Sequence, residues 1–151
     1  MKEIALTNSN IKAMVDDEDF DKINQYRWKI LNGYAYGKVN KKNIFMHRFI
    51  TNPRFGFLVD HKNGNRLDNQ KNNLRECLHC NNGKNTKIRK NNTSGYKGVK
   101  FIKKRNKFES YITSDYKYYF LGYYNNAQDA AVAYNNAATK YHGGFANLNT
   151  I

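Results

Sequence analysis

Cysteine and proline are nearly absent from this chain of 151 residues, with two of the former and one of the latter. Two cysteines cannot build the disulfide framework that holds a small secreted domain together. No apolar run is long enough to span a membrane, and residues 1–5 lead into polar sequence rather than an apolar leader core. A reducing intracellular compartment is therefore expected. No basic amphipathic helix is legible, which sets a membrane surface aside. Acidic residues are scarce too: 12 Asp and Glu stand against 26 Lys and Arg, for a net charge of +14. An imbalance of that size on a short chain points to a polyanionic partner, and nucleic acid is the default.

What the chain has in quantity is aromatic surface, with 12 Tyr and 9 Phe. Such side chains build small cores efficiently and leave some rings for a ligand. The charge is uneven: residues 61–90 hold eight basic and two acidic side chains, and residues 91–151 hold eight and three. An α+β protein is expected. Short strands at 4–6 and 13–15 precede an acidic helix start at Asp16, Asp17, Glu18 and Asp19, where carboxylates suit the helix dipole. Residues 28–30 and 34–39 read as strands joined through an Asn32-Gly33 turn, and residues 44–46 as a third strand or helix entry. Two apolar runs, 57–59 and 74–78, are separated by a polar stretch. Residues 87–94 have the polarity of a linker. Strands are then expected at 96–102, 107–113 and 117–124. A helix follows, capped by Asn126, with Ala127, Ala130, Ala131, Tyr134, Ala137, Ala138 and Tyr141 on one face. Gly143-Gly144 ends it, leaving His142 as a capping or surface residue.

Chemistry concentrates where residues 59–65 read Val-Asp-His-Lys-Asn-Gly-Asn, followed by Asn73-Leu74-Arg75 and then Asn82. Hydrolysis of a phosphodiester needs a base for water, a cation for the developing charge, and fixed geometry. A neutral His supplies the first. A carboxylate and an amide oxygen suit Mg²⁺ or Mn²⁺. These residues at these spacings resemble the HNH motif of phage and intron homing endonucleases. The resemblance implies a ββα-metal fold with His61 as general base, and Asp60 and Asn82 as metal ligands. It further implies that Asn73 braces the loop and orients the His61 ring. Met46-His47-Arg48 also matches a segment of that branch, where His47 and Arg48, with Arg75, are expected to contact DNA. Cys77-Leu78-His79-Cys80 lacks the second ligand pair of a structural zinc site, so no zinc is expected.

Toward the C-terminus, residues 94–99, 120–124, 130–138 and 144–149 occur in an order that resembles the APETALA2 (ethylene-response-factor) DNA-binding domain. That family implies a three-stranded antiparallel sheet, packed on one helix, entering the major groove. Strand alternation turns Phe108, Ser110, Ile112, Tyr119 and Leu121 toward the helix. Glu109, Tyr111, Thr113, Tyr118 and Phe120 then face outward. Lys97, Lys100, Lys103, Lys104 and Arg105 are expected to grip phosphates, with Tyr111, Tyr118 and Phe120 packing on sugars or thymine methyls and Thr113 beside them on the DNA-binding face. Several Arg and Trp positions of the plant proteins are Lys, Thr, Tyr or Phe here, so no target sequence carries over.

The expected division is therefore 1–52, an α+β part of the nuclease region; 53–90, the HNH motif; 91–94, a linker; and 95–151, the DNA-binding module. Double-stranded DNA is the expected partner, with no small-molecule cofactor. A non-catalytic, sequence-specific DNA-binding regulator is the main alternative, and an RNA-binding protein that stacks bases on its aromatics is a weaker one.

Overall fold

Ile4 and Leu6 on one strand and Ala13 and Val15 on the next all bury their side chains, which sets the first antiparallel pair. A computed structural model describes residues 1–78, 83–86, 88 and 91–151. Its contacts divide the chain into two units, Met1–His79 and Cys80–Ile151.

In the first unit β1 (Lys2–Leu6) lies between β2 (Ser9–Val15) and β3 (Trp28–Leu31). β4 (Tyr34–Val39) and β5 (Lys42–Phe45) complete a five-stranded sheet ordered β2-β1-β3-β4-β5. The β1–β3 contact is parallel, through Leu6 and Trp28, and the other neighbours are antiparallel. Asn32 and Gly33 both have positive φ, as a two-residue hairpin turn demands. Helix α1 (Asp17–Asn24) brings Phe20 and Ile23 onto a core of Ile4, Leu6, Val15, Trp28, Val39 and Met46. Trp28 satisfies its indole N–H by donating to the Ile23 carbonyl at 2.9 Å, so a large ring is buried without an orphaned donor. Helix α2 (Met46–Thr51) starts directly from β5, resolving residues 44–46 into a strand end and a helix entry. A separate hairpin, β6 (Leu58–His61) with β7 (Leu74–Cys77), follows. Cys77 is buried at the end of β7, while His79 and Cys80 lie outside the described residues.

The second unit is mixed as well. A 3-10 turn (Gly83–Asn85) precedes β8 (Val99–Ile102), β9 (Lys107–Ser114) and β10 (Lys117–Tyr124), which form an antiparallel sheet ordered β10-β9-β8. Helix α3 (Ala127–His142) packs on that sheet. Asn126 caps it as expected, its side-chain oxygen accepting from Asp129 N at 2.8 Å. Ala130, Ala131, Tyr134, Ala137 and Ala138 are the buried stripe, with Val99 and Ile112 opposite. His142 is not a surface residue. It is buried and donates from Nε2 to the Thr113 carbonyl at 3.0 Å, linking the helix end to β9. The first strand is shorter than expected, because Gly98 turns the chain at φ +72° before β8 begins.

Gly98 also carries a steric demand. A Cβ there would lie 2.0 Å from the Tyr134 ring and 2.6 Å from the Tyr111 carbonyl. Since φ is positive as well, Gly98→Ala combines strain with a clash in the core of the second unit. The expected loss is about 3 kcal/mol or more, read as a lowered melting temperature of that unit. An unchanged melting temperature would mean that the Tyr134 ring has room to move.

Candidate functional site

The β6–β7 hairpin delivers Asp60 and His61 at a strand end, opposite Arg75 and Leu74. Residues 62–73 join the strands through a loop whose polar groups bond to one another. Lys62 N donates to the Asn73 carbonyl at 2.9 Å, and Asn63 N to Asn73 Oδ1 at 3.0 Å. Asn73 Nδ2 in turn donates to the Asp68 carbonyl at 2.8 Å. The Asn73 amide therefore braces both sides of the loop. Asn63 adds a bond from Nδ2 to Asp68 Oδ2 at 2.7 Å. The loop is also fastened to β2: Met14 N donates to Leu67 O, and Asn69 N donates to Met14 O, both at 2.8 Å.

The acidic run at 16–19 does more than face a helix end. Asp16 makes no side-chain cap bond; its carboxylate accepts instead from Lys71 N at 2.7 Å and Gln70 Nε2 at 3.2 Å. Lys71 Nζ lies 2.6 Å from Glu18 and 3.1 Å from Asp19. Those contacts close the far side of the loop, and residue alternation carries no sign of them.

His61 is only 4% exposed. Its ring packs 5.1 Å from His47 in a T-shaped contact and 5.9 Å from Tyr34. Burial pushes its pKa down, outweighing the pull of Asn69, Asp60 and Asp68. The imidazole is thus neutral at neutral pH and carries a lone pair able to accept a proton. The side chain facing its Nε2 is Asn69, whose Oδ1 lies 3.4 Å away, whereas both ends of the Asn73 amide bond to backbone. Asn69 is 1% exposed and donates from Nδ2 to Leu67 O at 3.1 Å, which fixes its amide orientation. An amide oxygen only accepts, so this contact selects the ring tautomer protonated at Nε2.

His47 is buried rather than presented outward. It stacks on Phe45 at 5.5 Å, and its Nδ1 has no hydrogen-bond partner among the described residues. Burial, with His61 and Arg48 nearby, pushes its pKa down to about 3. Arg48 donates to the Phe57 carbonyl at 3.2 Å, bracing the entry to β6. Arg75 engages Asp60 Oδ2 through Nε at 2.9 Å and Nη2 at 2.6 Å. Asp60 thus offers a largely buried carboxylate beside a neutral imidazole. This donor type suits a hard divalent cation, which needs few carboxylates and keeps its waters. Asn82 lies outside the described residues, among which no group of three His, Cys, Asp or Glu is gathered for a metal.

In the second unit the outer sheet face carries Lys100, Glu109, Tyr111, Thr113, Tyr118 and Phe120, in the alternation expected. Tyr123 joins them, which simple alternation does not foresee. A β-bulge between Phe120 and Gly122 shifts the register, so Tyr123 pairs with Glu109 while Tyr124 packs toward the helix. Tyr111 and Tyr118 stack at 5.2 Å, Phe120 and Tyr123 pack at 4.9 Å, and Arg105 lies 4.8 Å over Tyr123. Lys103, Lys104 and Arg105 form an exposed basic turn after β8. Glu109 departs from expectation: it faces outward yet is only 7% exposed. Burial opposes its charge, but hydrogen bonds from Lys100 and Tyr118 prevail and hold its pKa below the usual range. Lys97 departs too. Its ammonium donates to the carbonyls of Lys84 at 3.0 Å and Thr86 at 2.7 Å, and burial pushes its pKa down to about 8. That lysine pins the preceding segment.

Among known proteins, the chain is similar to Protein 3.8 of Escherichia phage T7, at 39% identity over 62 residues. The match takes in 41% of this chain and 51% of that protein, so the chain spans about half the length of the curated relative it matches. No family model matches the sequence, and no solved structure matches it.

Two outcomes follow from the histidines. Unfolded His47 titrates near 6.5 and folded His47 near 3, so the folded state binds fewer protons between those values. Stability present above pH 6.5 is lost as pH falls toward 3, by about 1.4 kcal/mol per pH unit for this group. Urea titrations across that range should show the loss, and His47→Phe should flatten it; an unchanged slope would assign the loss to other groups. For His61, Asn69→Leu removes the amide oxygen that faces Nε2. Ring ¹⁵N shifts should then move from a single tautomer toward a mixture, and unmoved shifts would mean that another group sets the proton.

Proposed function

We propose that this protein is a metal-dependent endonuclease of the HNH type, which hydrolyses phosphodiester bonds in double-stranded DNA. The observation that carries the reading is the pairing of Asp60 with a buried, neutral His61 at the end of β6, above a loop braced by Asn73. His61 takes the proton of the attacking water. Asn69 and the His47 ring keep the imidazole in place. Asp60 and Asn82 would hold a Mg²⁺-class ion, whose chemistry is to neutralise charge on the phosphorane and the leaving oxygen. Arg75, which donates two hydrogen bonds to Asp60, holds that carboxylate's orientation and places positive charge near a bound phosphate.

The second unit acts as the targeting module, an APETALA2-like sheet–helix domain. Its support is the face of stacked Tyr and Phe rings beside Lys100, Arg105 and the Lys103–Lys104 turn. Basic groups attract the phosphates, and planar rings pack on sugars and thymine methyl groups. The similarity to a phage T7 protein agrees with a phage-encoded protein acting inside a host cell. No helix among the described residues is long and apolar enough to cross a membrane. A monomer with one such site cuts one strand per binding event, so nicking is the expected product.

Supercoiled plasmid incubated with the protein and Mg²⁺ or Mn²⁺ should convert to the nicked form. EDTA should abolish conversion, and His61→Ala should slow it at least a hundredfold. Plasmid left intact under every condition, including with DNA that the protein demonstrably binds, would favour the non-catalytic regulator.

A further inference from the structure

A carboxylate in the middle of a basic, aromatic face is an oddity if that face meets DNA. Glu109 stands in one cross-strand row with Lys100 on β8 and Tyr123 on β10. Lys100 Nζ lies 2.8 Å from its Oε1, and the Tyr118 hydroxyl donates to the same oxygen. Lys100 Nζ also sits 5.2 Å from the Tyr111 ring and 5.8 Å from the Tyr118 ring, and those two rings stack. One buried anion thus holds the ends of a lysine and a tyrosine that are themselves about half exposed.

An unrestrained surface lysine swings freely and pairs with any phosphate, which adds affinity without discrimination. A lysine tied to a carboxylate and to the Tyr118 oxygen has its charge offset and part of its donor set committed. It contributes little to counterion release, but its remaining donors point in a fixed direction. Tyr118, whose hydroxyl donates to Glu109 and accepts from Lys100, has one lone pair left to accept from a base. We infer that Glu109 is a specificity-determining positioning residue: it withholds Lys100 from nonspecific phosphate binding and fixes Lys100 and Tyr118 for contact with base edges of duplex DNA. The inference rests on the second unit being a DNA-binding module.

The test uses the full chain in EDTA, a generic duplex, and a duplex that the wild type selects from a random library. Glu109→Gln should bind the generic duplex several-fold more tightly at 50 mM salt. Its log–log salt slope should steepen by about 0.9, one added phosphate contact, and its preference for the selected duplex should fall about tenfold. Adding Lys100→Gln to that variant should restore the wild-type slope. Tyr118→Phe keeps the ion pair, so it should lower the preference with the slope unchanged; because Tyr118 is exposed, this variant stands even if Glu109→Gln melts early. A folded Glu109→Gln with unchanged slope and preference overturns the inference, as does equal weakening on both duplexes or an unaltered preference in Tyr118→Phe. Those failures leave the module reading intact. A wild type that binds neither duplex removes the module reading and the inference together.

Discussion

Two backbone hydrogen bonds at Met14, one to Leu67 and one from Asn69, hold the candidate site in place. They make the tip of a long loop continue the edge of the five-stranded sheet at β2. The loop thereby gains a fixed wall, and Asn69 is carried inward to the His61 ring. The Asp16 contacts to Lys71 and Gln70 close the other side. A β-hairpin by itself is marginal in water. Here the sheet supplies the missing support, so His61 can be buried and neutral on an otherwise small two-stranded element.

The hairpin itself was legible, because apolar runs at 57–59 and 74–78 flank a polar stretch, and its strands are Leu58–His61 and Leu74–Cys77. Its bracing was legible only in part. Asn73 was expected to hold the loop and the ring, and its amide bonds to the loop backbone at both ends. The side chain on the ring is Asn69, one of several Asn in a stretch where spacing cannot rank them. His47 and the acidic run were legible as residues but not as neighbours of the hairpin, since they meet it through long-range packing.

In the second unit the alternation of β9 and the alanine stripe of α3 were enough to place a sheet on a helix. The departures have local causes. A bulge at Gly122 carries Tyr123 to the outer face, and a bulge depends on one backbone conformation rather than on hydropathy. Glu109 faces outward as alternation requires, but three neighbouring side chains on adjacent strands cover it. The charge of Lys97 was visible in the sequence, whereas the pair of backbone carbonyls around its ammonium was not.

The length of the 62–73 connection is itself informative. The same unit joins β3 to β4 with two residues, Asn32 and Gly33, so reversing a strand demands no more than that. The connection between β6 and β7 instead buries Asp68, Asn69 and Asn73, next to Asp60 and His61 at the strand ends. Burying polar groups is unfavourable unless each is bonded, and each of these has partners within the loop or across the hairpin. A mere turn would gain nothing from such a network. A site that must hold a neutral imidazole and a carboxylate in fixed register needs one, because the bonds that satisfy the buried groups also remove their freedom to move.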